Sequence, residues 1–403
     1  MIEKYYDGAI EQVAAGLGTV EKNYLLVRYS GQFSVENLND TKQLEKNEDI
    51  FVQVHEFETG EITCAYEPYL TMICDGFRRY MTGTFEEFME TCDVYYLHRP
   101  VLLGYFNQDN TGREEIILLD EVAYEQERML AALERMLCAI ADRHPILLIL
   151  NRFQLAPKST MQLTARLLKI ENCNIGLVLG VSDIQAMPEF LVPDWEMLYE
   201  TLDDGSKIYH IGNSGRKKEE IAEDEKYIDY GSEKVYRKLQ NMVEFLDFDQ
   251  AAYYLENIER KIKFDNLFVD DAARFRMWLL FANVSILRQD IPKALEICED
   301  LEKIHLAGRE DECAYEQDYL IATAYMYQGK LKEALKMAGE TYRIAGKMSD
   351  DYRMFLSELL EAQIQMSGWY NIFFCAQDVK IKESLIQNLI RYNYRNHLAH
   401  VYI

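Results

Sequence analysis

Histidine and cysteine are the residues whose spacing could do chemistry unaided. His397 and His400 stand three apart in RNHLAHVYI, which puts both on one face of a helix, as the start of a zinc site would require. Zinc needs further ligands and no cysteine or acid lies nearby, so packing or surface histidines are expected. Cys92 and His98 could act as a nucleophile and its base, but no third residue is in view to orient the base. The eight cysteines (Cys64, Cys74, Cys92, Cys138, Cys173, Cys298, Cys313 and Cys375) form no CxxC and no short framework. In a chain of this size they read as reduced, mostly buried thiols.

The 403 residues carry a formal net charge of −25, which repels nucleic acid and anionic lipid. The compact basic run Arg216-Lys217-Lys218 is followed at once by Glu219 and Glu220, as in a solvated turn or helix start. Paired tyrosines (Tyr5-Tyr6, Tyr95-Tyr96, Tyr253-Tyr254) lack the positive surroundings that base stacking uses, and read as core or interface residues. The start MIEKYYDGAIEQV has no signal-peptide apolar run, and no stretch approaches 18 uninterrupted apolar residues. A soluble, cytoplasmic protein without nucleic-acid or membrane partners is expected.

Such residues need elements to position them. Tyr24–Tyr29 (YLLVRY) and Ile50–Phe57 (IFVQVHEF) are strand candidates, and Glu67–Cys92 has helical spacing through Tyr69, Met72, Ile73, Phe77 and Tyr80. A longer helix is predicted over Asp120–His144, ending before Pro145. The continuous apolar runs Ile146–Leu150 and Ile175–Val181 suit strands buried on both faces of a parallel sheet. Helices are predicted at 158–170 and within 187–202, and a last strand at Lys207–Ile211. The alternation predicts a doubly wound, mostly parallel α/β sheet over the first half.

The segment His144–Asp183 (HPILLILNRFQLAPKSTMQLTARLLKIENCNIGLVLGVSD) resembles the Walker B and sensor region of STAND-class NTPases, a signalling branch of the AAA-like ATPases. Tyr66–Tyr69 (YEPY) resembles the aromatic-Pro entry to the helix after that family's second strand. The resemblance implies a P-loop-type fold over roughly residues 1–215 and an ATP site. In such a site a Gly-rich loop, a Lys and a Ser/Thr hold phosphate and Mg²⁺, and an acid after the next apolar strand holds the metal. This sequence departs at each point. Gly31 fits the first glycine, but Glu36 replaces the second, Asn37 stands at the Lys position and Leu38 at the hydroxyl position. Asn151 and Arg152 occupy the two acidic positions, and Asp183 the later Arg position. Gly31, Asn37, Leu38, Asn151 and Arg152 are therefore the expected remains of a nucleotide site, with no catalytic residue, metal or cofactor. ATP held by a non-standard site, with Arg28 or Arg152 replacing the Lys, is the alternative.

From about Glu219 onward helical patterns replace strand signals. Phe248–Ala251, Ile291–Ala294, Leu331–Ala334 and Tyr370–Phe373 match on a shared position at spacings of 43, 40 and 39 residues. The copy Tyr319–Ile344 resembles a tetratricopeptide repeat, with Ala322 at the small packing position, Tyr325 after it, Gly329 at the turn and Ala334 in the second helix. Trp278, Ala282 and Ala294 fall at matching places in the preceding copy. Glu361 and Phe373 depart from the pattern in the last.

The expected organisation is an α/β domain over 1–215, a linker helix over 216–234 and an all-α repeat array over 235–403. The expected function is a non-catalytic signalling scaffold that binds a protein or peptide on the repeat surface. The alternatives are an ATP-dependent switch, or a transcriptional regulator whose C-terminal output domain lies in a longer parent chain.

Overall fold

The computed structural model describes residues 2–17, 23–29, 49–58, 60–109, 119–170, 173–182, 187–202, 207–211, 228–265, 267–370, 383–395 and 397. The chain divides into two compact units. One takes Met1–Thr111, Ala123–Ile228 and Glu244–Asp247; the other takes Gly112–Val122, Asp229–Val243 and Phe248–Ile403. Among the described residues, no helix is long and apolar enough to cross a membrane.

In the first unit, α1 (Ile2–Gly16) precedes β1 (Tyr24–Tyr29), and β2 (Phe51–Glu56) follows. Helices α2 (Tyr69–Tyr80), α3 (Phe85–Thr91), α4 (Arg99–Asn107) and α5 (Val122–Ala141) lie between β2 and β3 (Ile146–Asn151). The unit continues with α6 (Lys158–Leu167), β4 (Ile175–Ser182), α7 (Val192–Thr201) and β5 (Ile208–Ile211). The five strands form one parallel sheet in the order β2-β3-β4-β1-β5. Every residue of β3 and of β4 is buried, so both faces of the sheet centre are covered, as their unbroken apolar runs require.

Helix α1, which the sequence reading did not assign, covers one of those faces. Ala9, Ile10 and Val13 pack on Leu25, Val27 and Tyr29 of β1, Leu147 and Ile149 of β3, and Val178 of β4. The single helix expected over Glu67–Cys92 is two. Gly83 turns the chain at φ +91°, and Thr84 then opens α3 with a reciprocal capping box. Glu87 N–H donates to Thr84 Oγ1 (3.2 Å), and Thr84 N–H donates to Glu87 Oε2 (2.9 Å).

The second unit is an array of helices: α8 (Glu233–Glu244), α9 (Phe248–Phe264), α10 (Asp271–Leu287), α11 (Ile291–Leu301), α12 (Glu310–Tyr327), α13 (Leu331–Met348), α14 (Asp351–Tyr370) and α15 (Glu383–Arg391). From α9 to α15 each helix packs on the next, and α12 also meets α10 and α14, so neighbouring hairpins stack. Ala251, Ala294 and Ala334 each stand fourth in a second helix and are fully buried. A small side chain there lets the hairpin partners approach closely. The turns repeat too. Leu246, Gln289 and Gly329 each lie two residues before that helix, with left-handed φ of 66°, 64° and 78°. Of the fourth matching segment, Tyr370 ends α14 and the rest lies outside the described residues.

Candidate functional site

Among the described residues, the first unit places Asn151 and Arg152 at the carboxyl end of β3. The chain leaves β1 for β2 past β4 and β3, but leaves β4 for β5 past β1, so these two neighbours send their connections in opposite directions. The crevice beyond such a pair is where open α/β sheets hold ligands. Gly31, Glu36, Asn37, Leu38 and Asp183 lie outside the described residues. Asn151 and Arg152 are in place there.

Asn151 ends β3, fully buried, and its Oδ1 accepts a 2.7 Å hydrogen bond from the phenol of Tyr29 at the end of β1. Burial pushes that phenol's pKa well up, opposed by the nearby Arg152 guanidinium. Arg152 follows in a left-handed conformation (φ 52°), and its Nε sits 3.3 Å from Glu56 Oε1 at the end of β2. Gln154, also buried, clasps the end of β4. Its Nε2 donates to the Ser182 carbonyl (3.2 Å) and its Oε1 accepts from the Ser182 amide (3.3 Å). Arg28 points to the other face of β1, where its guanidinium lies 5.1 Å from the ring centre of Tyr199 in α7. The described part of this edge therefore offers an amide, a phenol and a neutralised ion pair.

The YEPY segment docks along the first turns of α6. Tyr66 N–H donates to Ser159 Oγ (3.0 Å), Thr160 Oγ1 donates to the Glu67 carbonyl (2.7 Å), and the hydroxyls of Tyr69 and Thr164 lie 2.6 Å apart. Ser159 N–H donates to Asp247 Oδ2 (3.0 Å), which satisfies one of the helix's open amides. These contacts explain why Ser159, Thr160 and Thr164 can all be buried.

Cys92 and His98 have separate partners. Burial pushes the Cys92 thiol up to about 11, with Arg135 opposing. His98 Nε2 lies 3.0 Å from Glu125 Oε2, both side chains wholly buried, at ion-pair distance but without hydrogen-bond alignment. The other oxygen of Glu125 takes Arg128 at 2.6 Å, and that guanidinium lies over the Tyr95 ring. His397 is buried, with its Nε2 3.1 Å from the Gln363 amide nitrogen; His400 lies outside the described residues.

The second unit contains a groove of about 370 Å³ walled by α8, α10, α12 and α14, the first helices of successive hairpins. Leu279, Leu280 and Leu287 line it from α10, and Tyr319, Leu320, Thr323 and Tyr327 from α12. Tyr236 enters from α8 and Gln363 from α14. Helix α12 can serve the groove because its apolar residues run all round it. Ala322 and Met326 pack with Ala334, Ala338, Leu360 and Ile364, while Leu320, Ala324 and Tyr327 pack toward Ile286, Ile291 and Ala294.

The charges on the groove wall are matched within the array. Arg276 pairs with Glu233 at 2.7 Å and lies 4.8 Å from the centre of the Tyr236 ring. Glu316 accepts from Arg353 at 2.6 Å, and Arg353 also meets Asp350 at 3.1 Å. The rest of the lining is aliphatic, phenolic and amide surface, in which the Tyr327 hydroxyl accepts from Leu119 N–H at 3.4 Å. The small residues of the repeat were legible in the sequence; the stripe Tyr319-Leu320-Thr323-Tyr327 was not, although its i, i+1, i+4, i+8 spacing marks one helical face. No protein-family model matches this chain, and no curated protein matches it either.

Proposed function

We propose that the chain is a non-catalytic interaction module whose repeat array, resembling tetratricopeptide repeats, receives a peptide segment of a protein partner in the groove. The carrying observation is the groove itself: half-buried leucines and tyrosines from α8, α10 and α12, beside Gln363 of α14, with the flanking charges already paired. Such a surface suits a segment that brings apolar anchors and leaves its own backbone to meet the amide of Asn283. The first unit serves as a platform that resembles a STAND-class NTPase without the hydrolytic residues. In support, the strand end where a metal-binding acid is expected carries Asn151, bonded by Tyr29, and the cation beside it is neutralised by Glu56.

Two measurements on the full chain test this reading. Selection from a displayed peptide library should enrich apolar-anchored sequences, and Leu280→Arg or Tyr319→Ala should weaken their binding about tenfold or more. Enrichment that ignores both substitutions would overturn the groove assignment. Calorimetric titration with ATP, with and without Mg²⁺, should show no heat of binding. Micromolar, Mg²⁺-dependent binding would instead establish an ATP-dependent switch.

A further inference from the structure

We infer that Cys138 and Cys173 form a dithiol that hydroperoxides convert to a disulfide, making the first unit a site of reversible oxidative modification. Cys138 lies near the end of α5, and Cys173 stands two residues before β4. Their sulfurs are 3.3 Å apart, in hydrogen-bond contact, and both residues are partly exposed. A disulfide needs an S–S distance of about 2.0 Å, so closure asks the sulfurs to approach by about 1.3 Å.

The rest of the described thiols are placed differently. Cys74, Cys92, Cys298 and Cys313 are buried, and burial pushes Cys74 and Cys298 up to about 12. Cys64 is partly exposed. In the Cys138–Cys173 pair the two sulfurs are joined by a hydrogen bond. Their hydrogen bond lowers the pKa at Cys173 and raises it at Cys138, while Glu134 and Asp142 oppose a thiolate at either. The pair thus supplies a nucleophilic sulfur with a resolving thiol already in contact, the arrangement that favours disulfide over further oxidation.

The chemistry balances with a hydroperoxide as the oxidant. The Cys173 thiolate attacks the terminal peroxide oxygen, the O–O bond breaks, and an alcohol or water leaves with the proton. The sulfenic acid so formed is attacked by the Cys138 sulfur, which forms the S–S bond and releases water. Two thiols and one hydroperoxide become one disulfide, one alcohol and one water, with two electrons passing from sulfur to oxygen. The bond would tether α5 to the residues leading into β4, where Ile146 N–H of β3 already donates to the Asn174 carbonyl (2.8 Å).

The test treats the full reduced chain with one equivalent of hydrogen peroxide and counts thiols after denaturation. The expected result is a fall from the eight cysteines of the sequence to six, with a Cys138–Cys173 linked peptide in the mass-spectrometric digest and full recovery on adding dithiothreitol. Cys64→Ser should form the same linkage, whereas Cys138→Ser and Cys173→Ser should not. Phenylarsine oxide, which bridges adjacent thiols, gives a readout that needs no variant: one arsenic per chain, blocked by prior peroxide. Retention of all eight thiols, linkage through Cys64, or oxidation to sulfinic acid without a linked peptide would overturn the inference.

Discussion

The hydroxyl of Tyr29, the last residue of β1, reaches over β4 to donate to Asn151, the last residue of β3. Both groups are buried, so the bond ties together two strand ends that are not neighbours in the sheet. Tyr29→Phe keeps the ring and removes the donor, and should cost about 1–3 kcal/mol, the range for leaving a buried polar group short of a partner. Urea unfolding of the full chain, followed by tryptophan fluorescence, checks this. An unchanged midpoint would show that the bond contributes nothing.

The Glu125 carboxylate is buried between His98 and Arg128. Glu125→Ala leaves the buried His98 imidazole short of its partner, and should destabilise the chain by about 1–3 kcal/mol. Replacing the buried pair together, as His98→Phe with Glu125→Leu, should recover a large part of that loss. Thermal unfolding of the single and double variants measures the difference. Equal losses in both would mean that shape, not charge, holds this region.

Asp318 on α12 is predicted to set a pH dependence. Burial, with Glu340 and Glu302 adding repulsion, pushes its carboxyl from the ordinary 3.8 up to about 6. A group that binds its proton more tightly when folded favours the fold most below about pH 4 and loses that contribution as pH rises to about 6. Asp318→Asn, neutral throughout, should therefore be more stable than the parent at pH 7, by up to about 3 kcal/mol, and equal to it below pH 4. Denaturant midpoints at pH 3.5 and pH 7 decide it.

The repeated left-handed turn makes a paired prediction. Gln289 adopts φ 64° at the position where Gly329 adopts 78°. Gln289→Gly should stabilise the array by about 0.5–1 kcal/mol, and Gly329→Ala should destabilise it by about 1 kcal/mol. A Cβ added at Gly329 meets nothing within 4 Å, so any loss there is a backbone effect. Opposite shifts in melting temperature are expected; shifts of the same sign would sink the assignment.

Local chemistry was legible in the sequence, and relations between distant segments were not. The runs ILLIL and IGLVLGV became β3 and β4 because a strand buried on both faces must be apolar throughout, and YLLVRY became β1 with only Arg28 half-buried. The alanines of the hairpins could be read because close helix packing leaves little choice of residue. The break between α2 and α3 had a signal, Gly83 followed by Thr84 and Glu87, which the continuous apolar spacing obscured. Helix α1 hid behind its charged start, with Ala9, Ile10 and Val13 buried on the sheet and Ala14 and Leu17 packed beside them. Nothing local in YEPY announces that its partners are Ser159, Thr160 and Thr164, and nothing in β1 says which strands flank it. The expected phosphate-loop segment, Gly31 to Leu38, lies outside the described residues.

The position of β1 has a consequence for how the protein is made. Leu26 pairs with Leu179 on one side and Ile208 on the other, so both neighbours of β1 leave the ribosome long after it does. Until then β1 is an apolar segment with two open edges, the kind that joins other chains when left waiting. The α/β unit therefore completes its sheet only once β4 and β5 have been translated, and until then β1 is a client surface for a holding chaperone.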